Sequence, residues 1–545
     1  MAGIFDVGAS ALSSLQRAIA TTGHNIANAN TDGYSRQNIT FVTQESEFVG
    51  GQAFGTGVKV GDVSRAYDQF LTDELRDRTT ARSYHDFYFN TSQRVDALFA
   101  DASTGLSVAM DNFFVAVDAV ATSPSSLPER QVLISEAEML SGRFNYMDKR
   151  LESIYTETTA RISSKADDIN QYAQELATLN ELIKRFASES SATPNDLLDK
   201  RDLTLLELSK LVNVNSQEQA DGSVNVYVGD GVRLVVGAFA ESVRVSGERT
   251  GDGRPSVFIT TPGGAEDNVT KNMSGGELGA ALEVSSNVVF RARRELGLLA
   301  IGLASIVNTQ HAQGDDLSGE PGGAFFGDFG TPIIGTGQNS GLSEVSYVID
   351  EPLELTGDAY EIRYGVAGPV LTNTTTGASQ AVTGDSISID GFTITLSEFA
   401  AGMEGDEFRI APTADAAGLI SVAIRAPEDV AAAARGGSVG DNRNMLALFD
   451  MRDAGSFVNS NRSVDDIYRD TLSHVAVETR TSKSSAALEE TLLRAATDRR
   501  DSVQGVNLEE EAADLVRYQQ AYQAAAQVIA AANQVFDTLL RATER

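Results

Sequence analysis

The residues able to do acid–base, nucleophilic or metal chemistry in this chain are few and scattered. There are four histidines, His24, His85, His311 and His474, with no cysteine and no tryptophan. A thiolate zinc site, a thiol nucleophile, a CxxC redox pair and a disulfide framework are therefore excluded, and histidines this far apart do not compose a metal site. Asp315 and Asp316 are paired acids, but their loop lacks the alternating Asp and Asn ligands of a calcium hand. His311, just before them, reads as a helix-end hydrogen bonder. The glycine runs GTGVKVG at 55–61 and GTGQNSG at 335–341 lack both GxGxxG spacing and a following Lys-Ser/Thr, so they read as turns rather than phosphate cradles. Glu509, Glu510 and Glu511 open the last helical stretch, where acids complement the helix dipole without a catalytic task. No catalytic residue, cofactor-binding residue or metal ligand is assigned, no cofactor is expected, and the chain is not read as an enzyme.

The elements that carry these residues are long. At 545 residues the chain exceeds one ordinary core and suggests three or four domains. Its 76 Asp and Glu against 43 Lys and Arg give a net charge of -33. That balance argues against nucleic acid and anionic lipid as partners, because both recruit clustered Lys and Arg. The N-terminus has no basic leader before a continuous apolar core, and no window of about 18 apolar residues is present, so neither a Sec-type signal nor membrane insertion is expected. The expectation is a soluble chain that stays in the cytosol or leaves by a route needing no cleaved leader.

Periodicity supplies the strongest physical signal. Phe5, Leu12, Ile19 and Ile26 recur every seven residues, with Gly8, Leu15 and Thr22 in the second register. At the other end Leu508, Leu515, Tyr522, Ile529 and Phe536 recur every seven, with Tyr518, Ala525, Ala532 and Leu539 in the companion register. Two narrow apolar seams at opposite ends of one chain are most simply buried against each other, as a coiled coil. Between them, residues 65–211, 275–325 and 427–500 show helical spacing and form a discontinuous helical-bundle domain. Residues 212–274, with valine-rich runs between Asp-Gly and Gly-Asp turns, and 326–426, with DSISIDGFTITLS and GDEFRIAPT, read as two inserted β-rich domains. Residues 1–64 and 501–545 make the terminal domain, and the whole is an α+β multidomain protein. The stretch NANTDGYSRQN at 28–38 stops the first helix: Asn25, Asn28 and Asn30 can cap its end or bond turn backbone, and Gly33 can take positive φ beside Tyr34.

The segment NIANANTDGYSRQN, paired with the distant GVNLEEEAADLVRYQQAYQAAAQVIAAANQVFDTLL, resembles the bacterial flagellar axial proteins: rod, hook and hook-associated subunits. GYSRQ at 33–37, PNDLLDKRD at 194–202, NTQHAQGDDLSGEPGGAFF at 308–326 and VGDNRNMLALFDM at 439–451 are similar, in that order, to the hook-associated protein 1 family of the hook–filament junction. One departure is Asp32, where the signature commonly has proline; Asp still suits a turn. The resemblance implies a structural, self-assembling subunit exported by the flagellar type III route and placed in the extracellular flagellum. It implies as partners identical copies, the hook subunit, the second hook-associated protein and an export chaperone docked on Leu508, Leu515, Tyr518, Tyr522, Ile529 and Phe536. It implies an N-terminal assembly seam of Phe5, Leu12, Leu15, Ile19 and Ile26, and a signature turn of Asn28, Asn30, Gly33 and Tyr34. Another axial protein would share the termini, and a secreted adhesin or effector would share the acidity but not the matched seams.

Overall fold

The computed structural model describes residues 2–49, 52–100, 105–189, 193–249, 253–261, 263–329, 333–335, 339–397, 402–452, 454–455, 457 and 462–543. Helices follow the order α1 (Ala2–Ala27), α2 (Gln69–Phe99), α3 (Leu106–Thr122), α4 (Leu127–Glu189), α5 (Asn195–Leu211), α6 (Gly276–Val284), α7 (Arg291–His311), α8 (Ala416–Leu419), α9 (Arg443–Asp450), α10 (Val464–Gln504) and α11 (Leu508–Thr543). Local chemistry sets their ends. Asp68 accepts from the Leu71 amide at the start of α2, and Ser463 with Asp466 forms a reciprocal capping box on α10. Pro128 sits in the first turn of α4, where its missing N–H costs nothing. A π-turn, Ser285–Phe290, joins α6 to α7.

The 63-residue α4, about 95 Å long at 1.5 Å per residue, is the spine. Its first half buries Leu133, Leu140, Phe144, Met147 and Leu151 in a core shared with α3, α7, the start of α10 and the second β stretch. Its second half buries Ile162, Ile169, Ala173 and Leu176 in another core, shared with α5, α6 and the strands of the first β stretch. Two asparagines act as strand surrogates on this half. Asn170 exchanges both amide bonds with Val243, and Asn180 does the same with Val224 while also donating to the Gly237 carbonyl. Polar side chains on a helix thus satisfy strand edges that would otherwise be buried unpaired.

The first β stretch folds into antiparallel sheets of strands 214–218, 224–228, 232–236 and 239–240, and of 242–249, 255–260 and 266–268. The second contains a five-stranded sheet, ordered 334–335, 407–410, 360–365, 368–373, 379–381, and a three-stranded one, ordered 345–349, 392–396, 386–389. Tyr360 of one sheet and Phe392 of the other meet edge to face at 5.1 Å.

Two long antiparallel helix contacts complete the frame. α2 and α10 run against each other with Arg499 near Glu74, Arg82 on Glu490, Tyr88 on Glu478 and Tyr468 donating to the Phe99 carbonyl. α1 and α11 also pack antiparallel, with Phe5 by Phe536, Gly8 against Ile529 and Asn25 on Glu511. Strands 37–43 and 58–65 form an antiparallel ribbon beside α1, in register Gln37↔Arg65 with an irregularity between Thr40 and Phe41.

Candidate assembly site

The N-terminal turn, the ribbon, α5 and the α10–α11 joint converge on one polar cluster. Asn25 is 2 % exposed and uses its whole amide: Nδ2 donates to the Gln37 carbonyl at 2.9 Å and to Glu511 Oε2 at 3.0 Å, while Oδ1 accepts from the Gln37 amide at 2.9 Å and the Tyr34 hydroxyl at 2.7 Å. Burial, then Asp196, Asp199 and Glu511, push the Tyr34 phenol up, which keeps it a donor. Arg36 donates through Nε to Glu511 Oε1 at 2.7 Å and through Nη1 to Glu510 at 2.9 Å, and its own amide donates to the Gln504 carbonyl. Burial opposes the charged guanidinium, but Glu511 and Glu510 outweigh it and raise the Arg36 pKa. Glu511 is also 2 % exposed. A buried carboxylate is tolerable here because an amide and a guanidinium both donate to it. Sequence spacing gave Glu511 only a helix-dipole role; its partners lie at the other end of the chain.

Beyond this cluster the two seams approach each other. The Phe5 and Phe536 rings meet edge to face at 6.3 Å, and a Cβ on Gly8 would lie 2.5 Å from Ile529 Cγ1, so the helices pack tightly there. Leu12, Leu15, Ile19, Ile26, Leu515, Tyr518 and Ile529 are half-buried. Tyr518 also touches Phe41 of the ribbon, ring centroids 6.3 Å apart. Tyr522 and Phe536 are more exposed, and Leu508 is 52 % exposed. In the signature turn Asn28 Nδ2 donates to the His24 carbonyl, Asn30 is exposed, and Gly33 has φ +76° with Leu203 beside it.

Comparison with known proteins places this geometry. The family description "Flagellar hook-associated protein FlgK helical domain" matches residues 92–326, "Flagella basal body rod protein" matches 5–34, and "Flagellar basal body rod FlgEFG protein C-terminal" matches 502–542. Flagellar hook-associated protein 1 of Salmonella typhimurium is 31% identical over 556 residues, covering 99% of this chain and 100% of the relative. The chain belongs to the flagellar hook-associated protein 1 family. The Escherichia coli relative of that name is 29% identical, covering 99% and 100%, and the Bacillus subtilis one 24%, covering 97% and 96%. The structure of the flagellar hook junction protein FlgK from Burkholderia pseudomallei has the same fold at TM-score 0.72 and 20% identity, over 79% of this chain and 100% of that one.

The segments that carry the hook-associated protein 1 resemblance dock on one another. PNDLLDKRD holds the GYSRQ turn: Asp199 accepts from the Ser35 amide at 2.9 Å and from Arg65 at 3.0 Å, Asp202 accepts from Arg65 at 2.6 Å, Asp196 accepts from Gln37 at 3.1 Å, and Asn195 donates to the Val63 carbonyl at 2.7 Å. In the same way 308–326 meets 439–451, with Gln310 donating to Asn444 at 2.7 Å. His311 is buried; its Nε2 accepts from the Ala431 amide at 2.8 Å, so Nδ1 carries the proton and donates to the Gly323 carbonyl at 2.7 Å.

The other chemical candidates are occupied by backbone. Asp316 accepts from the Ser318 and Glu320 amides and Asp315 from the Gly436 amide. Among the described residues no group of three or more His, Cys, Asp or Glu is placed to hold a metal. Gly57, in the first glycine run, abuts Ser10 of α1. Residues 336–338 of the second run lie outside the described residues. No helix among the described residues is long and apolar enough to cross a membrane.

Proposed function

We propose that α1 and α11 pair as a coiled coil and form the inner, tube-lining layer of a ring of identical subunits. Residues 65–211, 275–325 and 427–500 surround it as a helical domain, and 212–274 and 326–426 project outward. As a member of the hook-associated protein 1 family, the chain is a structural subunit of the bacterial flagellum, at the junction between hook and filament.

One observation carries the reading. The α1–α11 pair half-buries Leu12, Leu15, Ile19, Ile26, Leu515 and Ile529 and leaves Ile4, Val7, Val516, Val528, Val535 and Leu540 exposed, together with Leu508, Tyr522 and Phe536 of the seam itself. An antiparallel pair offering apolar residues outward is incomplete alone, and neighbouring copies are the simplest cover. The hook subunit below and the second hook-associated protein above continue the stack. Type III export in an unfolded state fits the lack of cysteine, and a chaperone laid along Leu508, Leu515, Tyr518, Tyr522, Ile529 and Phe536 would keep the stripe from aggregating before assembly.

The test is electron microscopy of cells lacking the protein, complemented with the wild-type chain or Ile529→Asp. Hooks without filaments are expected in the null and in Ile529→Asp; full-length filaments with Ile529→Asp would refute the seam.

A further inference from the structure

The helical body carries two apolar stripes that the fold leaves open. On α10, Val477, Thr481, Ser484, Leu488, Thr491 and Ala495 are all exposed and follow one another at alternating spacings of four and three, the two registers of a heptad seam. They lie opposite the ridge of Thr471, Val475, Ser482 and Ala486 that packs into the body. On α4, Val132, Met139 and Tyr146 recur every seven residues, opposite buried Leu140, Phe144 and Met147, and Met139 is 55 % exposed. Single exposed apolar side chains need no explanation, but a run at heptad spacing on a solvent face is the pattern of a helix that takes a partner.

The charges beside the two stripes are opposite. Along α10 from Thr471 to Thr497 every carboxylate is engaged: Glu478 by the Tyr88 hydroxyl, Glu489 by Arg78, and Glu490 by Arg82 and Arg494. Arg480 and Lys483, exposed on the same stretch, have no ion pair among the described residues. The hairpin of α3 and α4 is the reverse. From Gly105 to Gly142 its one Lys or Arg is Arg130, which is buried and donates to the carbonyls of Pro124, Pro427 and Val430. Asp118, Glu136 and Glu138 on that hairpin have no ion pair among the described residues. Buried α7 packs against both α10 and α4, so the two outward stripes point to opposite sides of the helical body.

We infer that these faces meet between neighbouring copies: the α10 stripe of one subunit lies against the α3–α4 hairpin of the next. The inference rests on the ring of identical copies proposed above and names the surface through which their helical bodies touch. Contact between two different faces is head-to-tail, so it propagates around a ring instead of stopping at a dimer. The small side chains of Thr481, Ser484, Thr491 and Ala495 leave holes for the larger Val132, Met139 and Tyr146. The lengths agree, at about 27 Å from Val477 to Ala495 and about 21 Å from Val132 to Tyr146. Arg480 and Lys483 gain from Glu136 and Glu138 of the next copy the counter-charge that their own subunit does not supply.

The test uses full-length chains in cells that build filaments. The chain has no cysteine, so Gly142→Cys and Ser484→Cys can be introduced together, and isolated hook–filament preparations treated with bis-maleimides of graded length. A ladder of cross-linked multimers is expected from the double variant and none from either single one. Dimers from a single variant would mean that like faces meet and would overturn the inference, as would absence of the ladder in preparations that carry filaments. In a second measurement, Arg480→Glu with Lys483→Glu should lower the number of filaments per cell several-fold, Glu136→Lys with Glu138→Lys should do the same, and the four changes together should restore it. These side chains lie on the surface, so purified variants should keep the wild-type melting temperature. Unchanged filament number in both reversals, or no repair by the combination, also overturns the inference. Loss of filaments in Ile529→Asp alongside such results would leave the terminal seam standing and remove this contact alone.

Discussion

Asn25 and Glu511 meet at 3.0 Å although 486 residues separate them along the chain. Each belongs to a terminal helix, and Arg36 lies on the same carboxylate from the turn between α1 and the ribbon. This contact fixes where α11 leaves the body and therefore how it meets α1. The helical seam sets which faces are apolar; the polar cluster sets their register.

Removal of the Glu511 side chain should loosen α11 from its root. Glu511→Ala leaves an Asn25 N–H and the Arg36 Nε without acceptors, a cost of about 1–3 kcal/mol. Faster amide exchange in the first turns of α11 is expected, with the helices α2 and α10 unchanged. Because Asn25 and Glu511 share the bond, Asn25→Ala combined with Glu511→Ala should cost less than the sum of the two changes. Strict additivity would mean that the two residues act independently.

Gly33 should resist substitution for two separable reasons. Its φ of +76° disfavours any side chain, and a Cβ there would stand 3.0 Å from Leu203 Cβ. Gly33→Ala should lower stability by about 1–3 kcal/mol. Adding Leu203→Ala removes the Leu203 Cδ atoms, which would stand 3.1 and 3.3 Å from the new Cβ, but neither its own Cβ nor the backbone strain, so urea midpoints should recover only in part. Complete recovery would assign the whole cost to crowding.

Much of this was legible because it is local. Heptad spacing marked the faces that bring Phe5 to Phe536 and Ile529 to Gly8, and Gly33 announced its turn. The polar partners were not legible. Three consecutive glutamates at a helix start read as complements to the dipole, and no local pattern says that Glu511 alone turns inward. Arg65 meets Asp199 across 134 residues, and Tyr88 meets Glu478 across 390. Such pairs are chosen by tertiary geometry, which periodicity does not encode. For the same reason no sequence pattern singles out Asn170 and Asn180, each of which pairs with a strand of the first β stretch.

Acid should expose the cost of His311. Burial holds its imidazole pKa below the usual 6.5, and protonation would place a hydrogen on the Nε2 that accepts from Ala431. A group whose folded pKa is depressed below its unfolded value, and whose neutral form is the one bound, contributes fully above about 6.5 and less as pH falls below it. Between pH 7 and pH 5 the wild-type chain should lose more stability than His311→Gln, by at most about 1.4 kcal/mol per pH unit. Parallel stability curves for the two chains would remove His311 from the acid response.

The packing of the terminal helices should be tunable at Gly8. In an isolated helix, Gly8→Ala would add about 1 kcal/mol of helix stability. Against Ile529 the new methyl has no room, since it would lie 2.5 Å from Cγ1, so α1 must tilt or shift away. The two effects have opposite signs, which makes the substitution diagnostic. The chain has no cysteine, so Phe5→Cys and Phe536→Cys can be introduced together and joined by a short bis-maleimide to report the pairing. Gly8→Ala should reduce cross-linking and filament assembly, and Ile529→Ala in that background should restore cross-linking by making space for the methyl. Ile529→Ala alone should weaken the pair by removing apolar contact. Mutual compensation of two separately harmful changes is the signature of direct contact, and undiminished cross-linking in Gly8→Ala would show that α1 and α11 are not held together at this point.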